Sequence, residues 1–170
     1  MHAFGPAVGA ATVLLGAALA TGAAPAAHAD PDFALNGTYR VISNGDWAKT
    51  NEVRMNEAVV VSTWTFSTSC TDVQTCDGTV TSDKGWTVPA KYRINRWIVE
   101  VEHPGWLPCP DGTRAPGFQR FQFFGTSPNG HVDTANVQTL KGFDRTEGPG
   151  GACGRNTPTA IEMPVRLDKM

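Results

Sequence analysis

Four cysteines restrict the fold of this chain more than any other feature of its sequence. They are Cys70, Cys76, Cys109 and Cys153. An even number of cysteines in a small exported domain is typical of disulfides rather than of a metal site. The sequence contains no Cys-x-x-Cys pair, which both zinc sites and redox motifs commonly use. We therefore expect two disulfides, no metal and no cofactor.

The pairing of the cysteines follows from their surroundings. The residues before Cys70 and after Cys76 have the pattern of the two arms of a hairpin, and opposed hairpin residues lie at Cα distances that a disulfide bridges. We predict the bridges Cys70–Cys76 and Cys109–Cys153. The second bridge would join a Pro-rich stretch to a Gly-rich stretch.

Export is predicted by the first 29 residues, which contain no Lys, Arg, Asp or Glu. An apolar stretch over residues 7–20 leads to Ala27-His28-Ala29, the pattern of a signal peptide with cleavage after Ala29. The stretch is too short and too weakly apolar to span a membrane, and no later run is long enough to do so. We expect residues 1–29 to be a signal peptide and residues 30–170 to be one secreted or cell-envelope domain without a transmembrane anchor.

The charge of the chain excludes one class of partner. The formal net charge is −2, and no block of like charges stands out. A nucleic-acid partner is therefore not expected, and neither is a polybasic membrane patch.

Strand patterns dominate the mature chain. Short runs rich in Val, Ile, Thr and aromatic residues alternate with turn residues. We predict eight strands, at residues 37–42, 58–69, 78–82, 91–94, 97–101, 118–124, 132–140 and 160–167.

Turn residues set the expected connections. Asn95-Arg96 and the run Ser127-Pro128-Asn129-Gly130 predict hairpin turns, and the polar run over residues 50–56 predicts a short helical turn or a loop. Pro164 predicts an edge strand or a bulge, because proline donates no hydrogen bond to a sheet.

The fold class is all-β, an antiparallel meander of about eight strands. It can close as a lipocalin-like barrel or fold as a Greek-key sandwich. We favour the barrel, because consecutive hairpins need no long crossovers and pairing the first strand with the last removes two exposed edges.

Several short motifs surround the cysteines, tryptophans and glycines: Asn36-Gly37-Thr38-Tyr39, Trp64-Thr65-Phe66, Ser69-Cys70 with Cys76, Gly78 and Val80, Trp106, Cys109-Pro110-Asp111-Gly112, Gly151-x-Cys153-Gly154 and Met163-Pro164-Val165. Together they resemble small exported proteins of mycobacteria and related actinobacteria that have no known function. The resemblance covers most of the mature chain. It implies an extracytoplasmic location and a shared disulfide scaffold, and it brings no catalytic residues.

A second resemblance concerns the first strand. Gly37-Thr38-Tyr39 resembles the Gly-x-Trp motif of lipocalin first strands, with Tyr in place of Trp. That resemblance implies a lipocalin-like barrel in which Arg166, near the end of the chain, packs against the first strand.

Catalytic motifs are missing from the sequence. The mature chain has two imidazoles, His103 and His131, and it contains no Gly-x-Ser-x-Gly, no His-Glu-x-x-His, no P-loop and no dinucleotide-binding glycine motif. The carboxylates available for acid–base work are Glu100, Glu102, Asp111 and Asp133, which we interpret as exposed strand residues. We expect no enzyme.

Five tryptophans are the candidate contact residues for a ligand or partner: Trp47, Trp64, Trp86, Trp97 and Trp106. Two of them lie in predicted strands and favour the core, since large rings bury much apolar area there. Three of them, Trp47, Trp86 and Trp106, follow turn residues and favour the surface.

These observations leave three hypotheses in a fixed order. The first is a non-catalytic extracytoplasmic domain that contacts a partner protein, the envelope or the host through loop aromatics. The second is a carrier of a small apolar ligand, held in a barrel cavity lined by Trp64, Phe66, Trp97 and Phe121. The third is a hydrolase, which requires His103 or His131 in a cleft beside a Ser or a carboxylate.

Overall fold

The computed structural model describes residues 33–170 together with Met1. Apart from Met1, the predicted signal peptide lies outside the described residues, and so does the predicted start of the mature chain at Asp30. Within the described part, no helix is long and apolar enough to cross a membrane.

Ten strands make up the described chain: β1 Asn36–Ser43, β2 Lys49–Thr50, β3 Val53–Arg54, β4 Val60–Asp72, β5 Thr75–Ser82, β6 Thr87–Arg93, β7 Arg96–Pro108, β8 Arg114–Gly125, β9 Thr139–Glu147 and β10 Ala160–Lys169. Two 3-10 turns accompany them, at Gly45–Trp47 and Ala152–Gly154. Strands β1 and β4 to β10 pair in chain order, all antiparallel, and β1 also pairs with β10. This closes an eight-stranded barrel, so the all-β prediction is confirmed, and the barrel is correct rather than the sandwich.

Alternating residues fill the barrel interior. In β4 the buried side chains are Ser62, Trp64, Phe66 and Thr68, and their neighbours point outward. This period of two is that of a strand with one face on a core. It settles which face of β4 is inside, a point that the imperfect alternation of the sequence left open.

The barrel has two different ends. At the apolar end, the strands are joined by residues 73–74, 94–95 and 126–138, and the chain enters through residues 33–35. At the polar end, the connections are residues 44–59, 83–86, 109–113 and 148–159. The short strands β2 and β3 lie in the first of these polar-end connections and extend the sheet beyond β10.

The predicted strand over residues 132–140 is wrong. The strand that pairs with β8 is β9, which begins at Thr139, and residues 126–138 form a connection. The turn at Ser127 exists, since the Gly130 amide donates to its carbonyl oxygen at 2.9 Å, but it lies inside that connection. Asn136 replaces ladder bonds there, because its side chain donates to the Thr126 carbonyl and accepts from the Gln138 amide, both at 2.8 Å.

The polar run over residues 50–56 is neither a helical turn nor a plain loop. It contains a hairpin of β2 and β3, with Asn51 and Glu52 as its two turn residues at φ of 47° and 67°. Positive φ at both central residues is the type I′ geometry that suits the twist of two-residue hairpins.

The turn between β6 and β7 is displaced by one residue from its prediction. Arg93 pairs with Arg96, so the central residues are Ile94 and Asn95, at φ of 52° and 61°. The prediction placed Asn95 first because Ile is a poor residue for positive φ. Pairing of the two strands outweighs that local preference.

Pro164 lies in β10, which has strands on both sides and is not an edge strand. The Pro164 carbonyl accepts from the Asn44 amide at 2.8 Å, so the nitrogen of Pro164 faces the same side. Strand β1 has ended one residue earlier, at Ser43. The missing N–H of Pro164 therefore falls where no strand needs a donor.

Arg166 does not pack on the first strand in the lipocalin manner. Its guanidinium pairs with Asp168 at 2.7 Å on the outside of the barrel. The cation near the buried Tyr39 ring is Lys169, whose Nζ lies 5.9 Å from the ring centroid, and Lys169 is also the β10 residue in register with Tyr39.

Candidate functional site at the polar end of the barrel

A buried carboxylate lies inside the polar end. Asp144 is 1% exposed, and it accepts hydrogen bonds from Ser43 Oγ and from Gln119 Nε2, each at 2.6 Å. Gln119 Oε1 is 2.6 Å from His103 Nε2, so the imidazole donates to the amide oxygen. These four residues come from β9, β1, β8 and β7 and form a chain from the interior to a half-buried imidazole, which we name the Asp144 chain.

The electrostatics of the Asp144 chain are unusual for a core. Burial raises the pKa of Asp144, whereas the hydrogen bonds from Ser43 and Gln119 and the nearby His103 act in the opposite direction. No Lys or Arg within residues 33–170 forms a salt bridge with Asp144. A buried carboxylate without a cation is costly in free energy, and such groups occur disproportionately at functional sites.

The Asp144 chain does not form a nucleophile–base pair. Ser43 is buried and donates to a carboxylate, while His103 contacts an amide rather than a hydroxyl. His131 is exposed in the connection at the opposite end of the barrel. The geometry thus lacks the pairing that the hydrolase hypothesis requires.

The three tryptophans that follow turns all lie at the polar end. Trp47 is 60% exposed, with the Arg54 guanidinium 4.6 Å above its ring. Trp86 is half-buried, and Trp106 is half-buried over Gly117, where an added Cβ would lie 2.7 Å from the Trp106 ring. Sequence reasoning marked these residues one by one, whereas the fold brings them to one end.

The two strand tryptophans lie in the core. Trp64 and Trp97 are 1% and 2% exposed. The Trp64 ring packs edge-on against Phe121 at 4.7 Å and against Trp86 at 5.1 Å, and it lies 6.0 Å from Phe66. The rings that a carrier would use to line a cavity thus contact one another.

Exposed apolar side chains surround Trp47. They lie on the connection between β1 and β4 and on the start of β4, and they are Val53, Met55, Val59, Val60 and Val61. Strand β3, which carries Val53, ends the sheet within the described residues. We name Trp47 with these five residues the tryptophan surface.

A groove of about 680 Å³ lies on the outside of the barrel wall, over β7, β8 and β9. Its walls include residues 148–150 of the polar-end connection. The side chains that give it its chemistry are Glu100, Glu102, Phe118, Arg120, Arg145 and Glu147. We name it the side-wall groove; the sequence indicated only its two β7 carboxylates.

Both predicted disulfides are present. Cys70–Cys76 lies across β4 and β5 at the apolar end, and Cys109–Cys153 joins two connections at the polar end. The second bridge anchors the connection whose residues 148–150 wall the side-wall groove.

Comparison with known proteins reveals the fold but no family. No family model matches the sequence, and neither does any curated protein. Among solved structures, the chain is similar to the "Monomer form of M.tuberculosis PknI sensor domain", with a TM-score of 0.55 and 16% sequence identity over 80% of this chain and 87% of that chain. At that identity the likeness concerns the barrel fold alone.

Proposed function

We propose that this chain is an exported, non-catalytic recognition domain that binds a partner protein through the tryptophan surface. The observation that carries the proposal is the 60% exposure of Trp47 within a patch of exposed apolar side chains. Soluble monomers rarely leave such residues clustered at their surface unless the cluster contacts something.

The composition of the tryptophan surface fits a protein interface. Trp, Met and Arg are enriched at interfaces, and Trp and Arg recur among the residues whose truncation costs most binding energy. Arg54 stacks on Trp47, so an aromatic anchor and its cation are already held together. Met55 adds a flexible apolar side chain that adapts to its partner.

Charge favours a protein over a membrane as the occupant. A peripheral membrane site needs an excess of cations to bind anionic lipid. Around the tryptophan surface, Asp46, Glu52 and Glu57 outnumber Lys49 and Arg54. The partner is therefore expected to present an apolar patch with charges of both signs at its rim.

An extracytoplasmic location supports the proposal. Two disulfides in a small domain are typical of oxidising compartments, and residues 1–29 have a signal-peptide pattern. The similar solved structure is a sensor domain, which is a recognition module rather than a catalytic one. The carrier alternative is weaker, because Trp64, Phe66 and Phe121 pack against one another inside the barrel.

Site-specific photo-cross-linking tests the proposal. A photoreactive phenylalanine analogue replaces Val53 in the chain exported by an actinobacterial host, and the same analogue replaces the exposed Val73 at the apolar end as the matched control. We expect one protein to cross-link from position 53 and not from position 73, and Trp47→Ala to abolish that cross-link. Equal products from both positions would contradict the proposal, and so would a product made only of lipid.

A further inference from the structure

We propose that the side-wall groove binds a basic polypeptide segment, with a Lys or Arg side chain over Phe118 between Glu102 and Glu147. This site lies on the barrel wall and is separate from the tryptophan surface. It recognises its ligand by charge and by an aromatic face, whereas the tryptophan surface offers apolar contact.

An aromatic ring lies between two carboxylates in the groove. Phe118 is directly opposite Glu102 on β7 and opposite Glu147 on β9, and the side chains of all three project from the outer face. Opposed residues on neighbouring strands have Cβ atoms about 5 Å apart. Phe118 is 52% exposed, so part of its ring is open to a ligand.

Glu102 is the free charge of this row. It forms no salt bridge within residues 33–170, and it is exposed. Glu147 lies 3.4 Å from Arg145 at the edge of the row. A ligand cation over Phe118 would thus meet one unpaired carboxylate and one partly paired carboxylate.

Both guanidiniums of the groove are already engaged. Arg120 Nε donates to Glu100 at 2.7 Å. Arg145 lies within 3.4 to 3.7 Å of three carboxylates, which belong to Glu52, Glu147 and Glu162. With Glu102 added, five carboxylates surround two guanidiniums, so the groove has a net negative charge.

The size and the chemistry of the groove select a polypeptide. A volume of about 680 Å³ is far more than one ion fills and lies in the usual range for organic ligands. A cation over an aromatic face gains free energy from the ring quadrupole, and a carboxylate beside it adds Coulomb attraction. Gly148 and Gly150 have no side chains to fill the groove from the wall. A neutral sugar would gain nothing from the excess negative charge.

The test uses a tetra-lysine peptide as the probe and the exported mature chain labelled with ¹⁵N. We expect amide shifts to cluster on residues 100–102, 118–120 and 145–150. Glu102→Gln should weaken binding about threefold, and Phe118→Leu should weaken it by a similar factor, while Phe118→Tyr should retain it. Asp46→Asn removes an equal charge outside the groove and should leave the affinity unchanged.

The contrary outcomes are specific. Shifts spread over the whole surface, or equal losses with Glu102→Gln and Asp46→Asn, would show a non-specific charge effect and overturn the proposal. Shifts in the groove with chitotetraose but not with tetra-lysine would assign it to carbohydrate instead. Trp47→Ala should leave tetra-lysine binding unchanged, so failure of the partner-protein proposal is distinguishable from failure of this one.

Discussion

The apolar end and the polar end of the barrel bury different kinds of side chain. At the apolar end, the Phe33 ring lies 5.0 Å from the Tyr92 ring, which in turn lies 5.4 Å from Trp97. At the polar end, the interior holds Asp144 with its two hydrogen-bond donors. The same closed sheet thus encloses an aromatic plug at one end and a hydrogen-bonded carboxylate at the other.

The contrast separates stability from function. Each buried aromatic ring removes much apolar surface from water and stabilises the fold. A buried carboxylate without a cation destabilises the fold unless its hydrogen bonds offset the lost hydration. The polar end also carries Trp47, Trp86 and Trp106, and one wall of the side-wall groove. We therefore assign recognition to the polar end and most of the stability to the apolar end.

The largest expected effect compares the two bridges. Cys109→Ser with Cys153→Ser should lower the free energy of unfolding by about 4 kcal/mol, because the bridge closes a long loop in the unfolded chain. Cys70→Ser with Cys76→Ser should lower it by only about 2.4 kcal/mol, because that bridge closes a short one. Urea unfolding of both double variants measures the difference.

The order of the two losses is the critical result. An equal loss, or a larger loss at the apolar end, would contradict the chain-entropy account and weaken the distinction between the ends. Intact mass should first confirm that each variant retains its remaining bridge.

A smaller effect is expected from Asp144→Asn. The pKa of Asp144 is raised above its ordinary value of 3.8, so the folded state holds this proton more tightly than the unfolded state does. The stability that results is complete below pH 3.8 and is lost as the pH rises through the raised pKa. The Asn variant does not titrate, so its stability relative to the wild type should increase over that window.

Urea unfolding of both proteins at several pH values from acid to neutral measures that change. Asp83→Asn, which neutralises an exposed carboxylate, is the matched control and should run parallel to the wild type. A constant difference between Asp144→Asn and the wild type at all pH values would show that burial does not perturb this group.

The smallest effect concerns a turn at the apolar end. Ile94 is 81% exposed and holds a φ of 52°, where a β-branched residue is disfavoured. Ile94→Asn should raise the free energy of unfolding by about 1 kcal/mol, since Asn tolerates this conformation. Val73→Asn, at an exposed position of the neighbouring turn without positive φ, should change stability by less than about 0.5 kcal/mol. Thermal unfolding distinguishes the two, and equal shifts would refute the backbone explanation.

Local patterns in the sequence determined the fold class and the bridges. Alternation along β4 follows from the strand period of two, and it put Trp64 and Phe66 on one face. The hairpin around Cys70 and Cys76 placed these residues opposite each other, and the observed register pairs them. Closure of the barrel followed because the unpaired edges of the first and last strands are unfavourable.

Contacts between distant strands were decided only by the tertiary structure. Ser43 and Asp144 are 101 residues apart, and they meet because β1 closes against β10, which in turn pairs with β9. The row of Glu102, Phe118 and Glu147 likewise depends on the register of three strands. A single sequence specifies the alternation within each strand, but the register between strands depends on the packing of the whole interior, and that register decides which side chains share a site.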